Sequence, residues 1–199
     1  MKTRMKSGDR RAAIVRAAIR LFAEKGFRGT TTRELAAAVG VTEPVLYQHF
    51  RDKRALHKAI VEAQAGELGG DGGELEQLAQ AGDDRAFFRA AGGLIVSRFE
   101  SNPEIPRLLL FSALERQDMS ELFLERIWAG FQKQMAGYIR RRIREGGFRR
   151  VNAGAAARGF IGMISLHAFF GLLLGGRFGK ADRHLVEEMT ELFLDGIAR

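Results

Sequence analysis

The stretch TTTRELAAAVGVTEPVLYQHFRDK, residues 30–53, leaves little choice of local structure. It encodes two short helices joined by a tight glycine turn, with a third helix starting directly behind them. Thr31 and Glu34 stand at the S/T-x-x-E spacing of a capping box, in which each side chain satisfies a backbone N–H that the first helical turn leaves unpaired. Leu35, Ala38 and Val39 then fall on one face. Gly40 closes the helix where a left-handed residue is needed, and Thr42 is placed to cap the next one. Glu43 and Pro44 lie in a first turn that has no use for a proline N–H. Leu46 and Phe50 form the inward pair of that second helix. Val45, Gln48 and His49 are left pointing outward with no core to fill, which is the pattern of a helix-turn-helix.

Ahead of it, Ile14, Ala17, Ala18, Leu21 and Phe22 follow the i, i+3, i+4, i+7, i+8 template, so residues 9–25 read as an amphipathic helix. Gly26 ends it and Phe27 plugs the core. Asp52 is placed to cap a fourth helix that starts at Lys53 and runs through Leu56, Ile60 and Leu68. GGDGG at 69–73 interrupts that helix, because glycine is a poor helix former. Further helices are expected near 83–101, 103–116, 119–145, 153–175 and 181–198. No strand pattern competes, and no repeat of solenoid length is visible. The expected fold is all-α: an N-terminal three-helix head over residues 1–52 and a larger helical body over 53–199.

Charge says where a polyanion would bind. Residues 1–60 hold 14 Lys plus Arg against 5 Asp plus Glu, a net of +9, whereas residues 61–199 hold 18 against 19. The whole positive excess travels with the helix-turn-helix, as phosphate neutralisation requires. There are no cysteines, so packing must hold the fold, and a reducing cytoplasm fits. The basic N-terminus lacks the apolar stretch of a secretory signal, and no export segment is expected. Residues 159–176, GFIGMISLHAFFGLLLGG, are apolar enough to raise a membrane span. His167, Ser165 and the glycines favour instead a helix packed closely against others, and the stripe Leu185, Val186, Met189, Leu192, Phe193 and Ile197 gives the last helix a matching face. No membrane partner is therefore expected.

GVTEPVLYQHFRDKRAL, with TTRELA ahead of it, resembles the DNA-binding head of the TetR family of bacterial transcriptional regulators over about residues 9–60. Beyond residue 60 the resemblance is one of architecture, in which two C-terminal helices from each of two chains form a four-helix dimer interface. It implies that Thr32 and Arg33 lie where the family meets phosphates and sometimes a base edge, and that Thr42, Glu43, Pro44, Val45, Tyr47, Gln48 and His49 form the recognition helix and its cap. Side-chain chemistry agrees. Gln48 can pair bidentately with adenine and Arg33 with guanine, Val45 can pack on a thymine methyl, and Tyr47, His49 and Lys53 suit backbone phosphates. Glu43 is either a base contact to cytosine or a cap residue facing solvent. Lys2, Arg4, Lys6, Arg10 and Arg11 form either a DNA-contacting arm or a solvated tail.

The resemblance further implies a small-molecule effector bound in the body and a homodimer on a palindromic DNA operator. Candidate pocket residues are Phe99, Phe111, Trp128, Phe131, Met135, Tyr138, His167 and Phe170, with Tyr138 and His167 as polar handles. Few charges lie within these helices, so an apolar or amphipathic ligand is favoured. Repression, relieved when the ligand tilts the heads through residues 52–68, is the expected mode. Two rival readings remain: a non-specific basic nucleic-acid or membrane-surface protein, and an all-α enzyme. Against the enzyme stand the absence of metal-ligand spacing and of a glycine-rich phosphate loop after a strand; no cofactor or metal is expected.

Overall fold

The computed structural model describes residues 7–68, 72–115, 118–123, 125, 128–175 and 177–198. Among them are eleven helices: α1 (Ser7–Lys25), α2 (Thr32–Val39), α3 (Glu43–His49), α4 (Lys53–Leu68), α5 (Gly72–Ala81), α6 (Asp84–Ser101), α7 (Glu104–Leu114), α8 (Asp118–Phe123), α9 (Ala129–Arg144), α10 (Ala153–Leu173) and α11 (Arg183–Ile197). Extended pairing among the described residues is limited to one antiparallel bridge, Phe148 with Ala198. The fold is all-α, as the periodicity indicates.

Two compact units are present, and neither is one continuous piece of chain. The first gathers residues up to 66 together with 104–126. In it α1 packs against α2 and α7, α2 against α3, and α7 against α8. Ile14, Ala17, Ala18 and Phe22 of α1 are buried, as their spacing requires, and Val15 joins them. The capping box of α2 is complete: the Glu34 N–H donates to Thr31 Oγ1 at 3.1 Å and the Thr31 N–H to Glu34 Oε2 at 2.8 Å. Gly40 closes α2 at φ +73°. One residue of the expected face is displaced: Ala38 is exposed and Ala36 is buried beside Leu35, because the inward direction of this two-turn helix lies one position earlier. Thr42 has the extended backbone of an N-cap, but its side chain makes no capping bond. Asp52 does cap α4, accepting from the Ala55 N–H at 2.8 Å.

The second unit holds residues 67–103 and 127–199. Here α6 packs against α5, α10 and α11, and α9 against α10. Phe87, Phe88, Phe160 and Phe193 meet at its centre, with Phe88 4.9 Å from both Phe160 and Phe193. Asp83, Asn152 and Asp182 cap α6, α10 and α11 through hydrogen bonds from Ala86, Ala155 and Leu185. Gly92 allows the close approach of these helices, since a Cβ there would stand 2.7 Å from Val186 Cγ1 and 2.8 Å from Ile164 Cδ1. α10 is long and apolar enough to cross a membrane by length and composition, with mean hydropathy 1.5. Its Ala157, Phe160, Ile161 and Ile164 are nevertheless core residues of this unit.

Two expectations need correction. Residues 72–81 form α5, which the glycine-rich run masked; Leu75, Leu78 and Ala79 supply its inward face, and residues 69–71 of the run lie outside the described residues. The single helix expected over 119–145 is instead α8 and α9. α8 packs on α7 in the first unit and α9 on α10 in the second, so packing divides what local sequence would leave continuous.

Candidate nucleic-acid interface

Leu46 and Phe50 are 2% and 3% exposed, and burying them turns the opposite side of α3 outward. Tyr47 is 48% exposed, and Thr42, Pro44 and Gln48 are exposed as well. Val45 and His49 are half-buried at the edges of that face. Arg33, on the first turn of α2, is exposed and meets no hydrogen-bond or ion-pair partner among the described residues. Thr32 and Glu43 tie the starts of the two helices together, the Thr32 hydroxyl donating to Glu43 Oε2 at 2.6 Å. Glu43 therefore orients α2 against α3, a third role beside the two that its sequence position allowed.

The frame behind this face is held by charge. Lys25 Nζ donates to Glu34 Oε1 at 2.6 Å and joins the end of α1 to the cap of α2. That bond, followed by those from the Thr31 amide and hydroxyl, holds the Glu34 carboxyl at about 2. Arg11, of the basic N-terminal run, lies 4.9 Å over the Phe50 ring; Lys2, Arg4 and Lys6 fall outside the described residues.

Lys53 departs from its expected place on the phosphates. Its ammonium donates to the Phe27 carbonyl at 2.6 Å and to the Thr30 carbonyl, and it sits 4.3 Å over the Phe27 ring. An ammonium has three donors, so two are committed inside the head. Burial lowers its pKa, against the pull of the Glu115 and Glu34 carboxylates. Phe27 itself packs on Phe22 and His57, at 5.5 and 4.4 Å between ring centroids. Sequence reasoning missed Glu115. Its Oε2 accepts from the N–H groups of both Phe27 and Arg28 at 3.1 Å, across more than eighty residues of chain.

Seven of the eight pocket candidates lie in the second unit. Met135 and Tyr138 belong to the core cluster of the second unit, with Met135 fully buried, and Phe99, Trp128 and Phe131 are half-buried against it. Tyr138 is committed rather than available: its ring stacks 3.9 Å from Phe87 and its hydroxyl donates to Asp84 Oδ1 at 2.6 Å. Burial, then that bond, raises its pKa. His167 and Phe170 flank Phe178 at 5.3 and 5.2 Å, and His167 Nε2 is buried with no hydrogen-bond partner among the described residues. Phe111 lies in the first unit. A groove of about 360 Å³ between α6 and the start of α11, bordered by Arg89, Ser97, Glu100, Asp182 and Glu187, takes in none of the eight.

Residues 14–60 match the tetR family of bacterial regulatory proteins, and residues 97–196 match the C-terminal domain of AefR-like transcriptional repressors. The chain belongs to the TetR family. That family is one of bacterial regulatory proteins, and membership bears out the resemblance carried by residues 9–60. Over 54 residues the chain is 52% identical to the class A tetracycline repressor of transposon 1721 from Escherichia coli, a match covering 27% of this chain and 25% of that protein. The chain thus spans about a quarter of the length of the tetracycline repressors it matches. With the HTH-type transcriptional regulator YvkB of Bacillus subtilis it shares 26% identity over 187 residues, covering 93% of this chain and 95% of that one. The fatty acid degradation regulator FadR from Bacillus halodurans has the same fold, with a TM-score of 0.72 at 17% identity over 96% of this chain and 97% of that one.

Proposed function

We propose that this TetR-family chain is a homodimeric repressor that reads a palindromic operator through residues 30–53 of each protomer and leaves it when an apolar or amphipathic small molecule binds. One observation carries the DNA-reading part: the face of α3 opposite Leu46 and Phe50 is bare, within the first 60 residues, which hold the whole positive excess of the chain. Gln48, Val45 and Arg33 read bases. Thr32, Thr42, Pro44, Tyr47 and His49 meet the backbone or shape the approach, Glu43 fixes α2 against α3, and Lys53 acts through the turn that it holds. Residues 1–52 then serve as the DNA-binding domain and residues 53–199 as the effector-binding and dimerisation domain.

The dimer forms through α10 and α11, whose outward sides carry Leu166 at 56% and Leu192 at 62% exposure. Paired heads must reach successive major grooves about 34–36 Å apart, so an effector releases DNA by favouring an arrangement with another spacing. Phe99, Trp128, Phe131, His167, Phe170 and Phe111 remain the effector candidates, while Met135 and Tyr138 form core wall. The C-terminal match to AefR-like repressors supports repression over activation. Such a protein works in the cytoplasm, where its DNA is.

Selection of bound duplexes from random DNA tests the reading. A palindromic site with half-sites one helical turn apart is expected, bound at least about a thousandfold more tightly than random duplex at physiological salt. Gln48→Ala should relax the preference at one or two positions in each half-site. Equal affinity for all duplexes would sink the proposal and favour a non-specific basic protein.

A further inference from the structure

The turn at residues 26–30, which delivers the chain from α1 into the helix-turn-helix, is gripped on its amides and on its carbonyls by two distant segments. Its carbonyls at Phe27 and Thr30 accept from Lys53 at the start of α4. Its amides at Phe27 and Arg28 donate to Glu115, directly after α7. Gly26 makes the second grip possible. At φ +73° it sets the two following N–H groups toward one point, and a Cβ on it would lie 2.4 Å from Glu115 Oε1. Successive amides after a left-handed residue form an anion-binding concavity, and here the anion is a carboxylate of the same chain. Glu115 is fixed to its own helix, with its N–H bonded to the Phe111 carbonyl at 2.8 Å. The turn is short: Thr31 already caps α2, and the Thr30 hydroxyl donates back to the Gly26 carbonyl at 2.9 Å. A displacement of Glu115 therefore reaches the first residue of α2 with little slack to absorb it.

We propose that Glu115 is a positioning residue for DNA recognition, holding the Phe27 and Arg28 amides so that α7 sets the angle at which α2 and α3 are presented. The proposal rests on the DNA-binding reading and extends it. Head orientation is governed by α7 as well as by α4, the element that the sequence pointed to. Glu115 touches no base or phosphate in this scheme and acts only through the turn.

The test uses full-length protein and the duplex selected from random DNA. Glu115→Gln keeps the shape of the side chain and removes its charge. Amide exchange at Phe27 and Arg28 should accelerate about tenfold, as expected when bonds to a charged acceptor are weakened. Affinity of the folded protein should fall by a similar factor on the selected duplex and its single-base variants alike, with the thermal midpoint lowered by only about 3–5 °C. A purely stabilising Glu115 would give a lower midpoint with unchanged affinity of the folded protein, and that result overturns the proposal. Unchanged exchange at the two amides overturns it as well. Gly26→Ala pushes the carboxylate out from the opposite side; it should reproduce the uniform loss of affinity, and a folded variant of normal affinity counts against the proposal. Should the wild type prefer no duplex, the DNA-binding reading fails, while the exchange rates still decide whether the grip exists.

Discussion

Replacing Asp84 by alanine removes one acceptor that two neighbours share. Tyr138 donates its hydroxyl to Asp84 Oδ1 at 2.6 Å; Arg142 donates Nε to the same oxygen at 2.8 Å and Nη2 to Oδ2 at 3.0 Å. Tyr138 is 4% exposed, so its hydroxyl would find little water in the variant, and an unsatisfied buried hydroxyl costs about 1–3 kcal/mol. Arg142 keeps its bond to Glu145 at 2.7 Å and has 21% of its side chain in solvent, so its share is discounted to about 1 kcal/mol. The expected loss is about 2–4 kcal/mol, a large part of the ~5–15 kcal/mol that holds a domain folded. Asp84→Asn retains a neutral acceptor and should lose about half as much. Urea unfolding at neutral pH measures both. The decisive quantity is the double-mutant cycle with Tyr138→Phe, where the two changes should be sub-additive by about 1 kcal/mol. A loss below about 0.5 kcal/mol, or strict additivity, would refute the assignment of the Tyr138 hydroxyl to the core and return it to the groups free to meet a ligand.

Two further outcomes follow from single positions. Gly92→Ala places a methyl against Val186 and Ile164, and the overpacking should cost about 1–3 kcal/mol, more than the better helix propensity of alanine returns. Thermal unfolding checks it, and an equally stable variant would show that both side chains can turn away. Glu34, held at about 2 in the fold against an ordinary 4.5, contributes stability that is complete above pH 4.5 and is lost as pH falls toward 2. Glu34→Gln should be less stable than the wild type at neutral pH and converge with it across that interval. A stability gap that stays constant from 4.5 to 2 would contradict the account.

What the sequence made legible is the part whose physics is local. The capping box at Thr31 and Glu34, the left-handed Gly40, the buried pair Leu46 and Phe50 and the cap at Asp52 each depend on residues within four positions, and all were found where spacing placed them. Thr42 shows the limit of that approach: its backbone is that of a cap while its hydroxyl makes no capping bond. Lys53 and Glu115 could not be read this way, because their partners stand 23 or more positions away and are backbone groups without a side-chain signature. Tyr138 looked like a polar handle because nothing near it in sequence announces Asp84. α5 was legible in principle, in the spacing of Leu75, Leu78 and Ala79, but its opening glycines argue for a loop. Net charge also hides segregation. Residues 133–158 hold eight Lys plus Arg against one acidic residue, within a body whose total is near neutral.

The discontinuous first unit bears on how such proteins can be recombined. α7 packs along α1, and Glu115 occupies the amides of the turn that follows it, so the first 66 residues carry a surface shaped for a helix encoded some forty residues later. A chimera spliced between α4 and α5 would import a DNA-reading head without its lid, and the recipient's own seventh helix would have to cover α1 and offer a carboxylate at the position of Glu115. The proposed reading surface therefore rests on two separated segments, and a graft that carries both 1–66 and 104–126 is the smallest that keeps it on its native support.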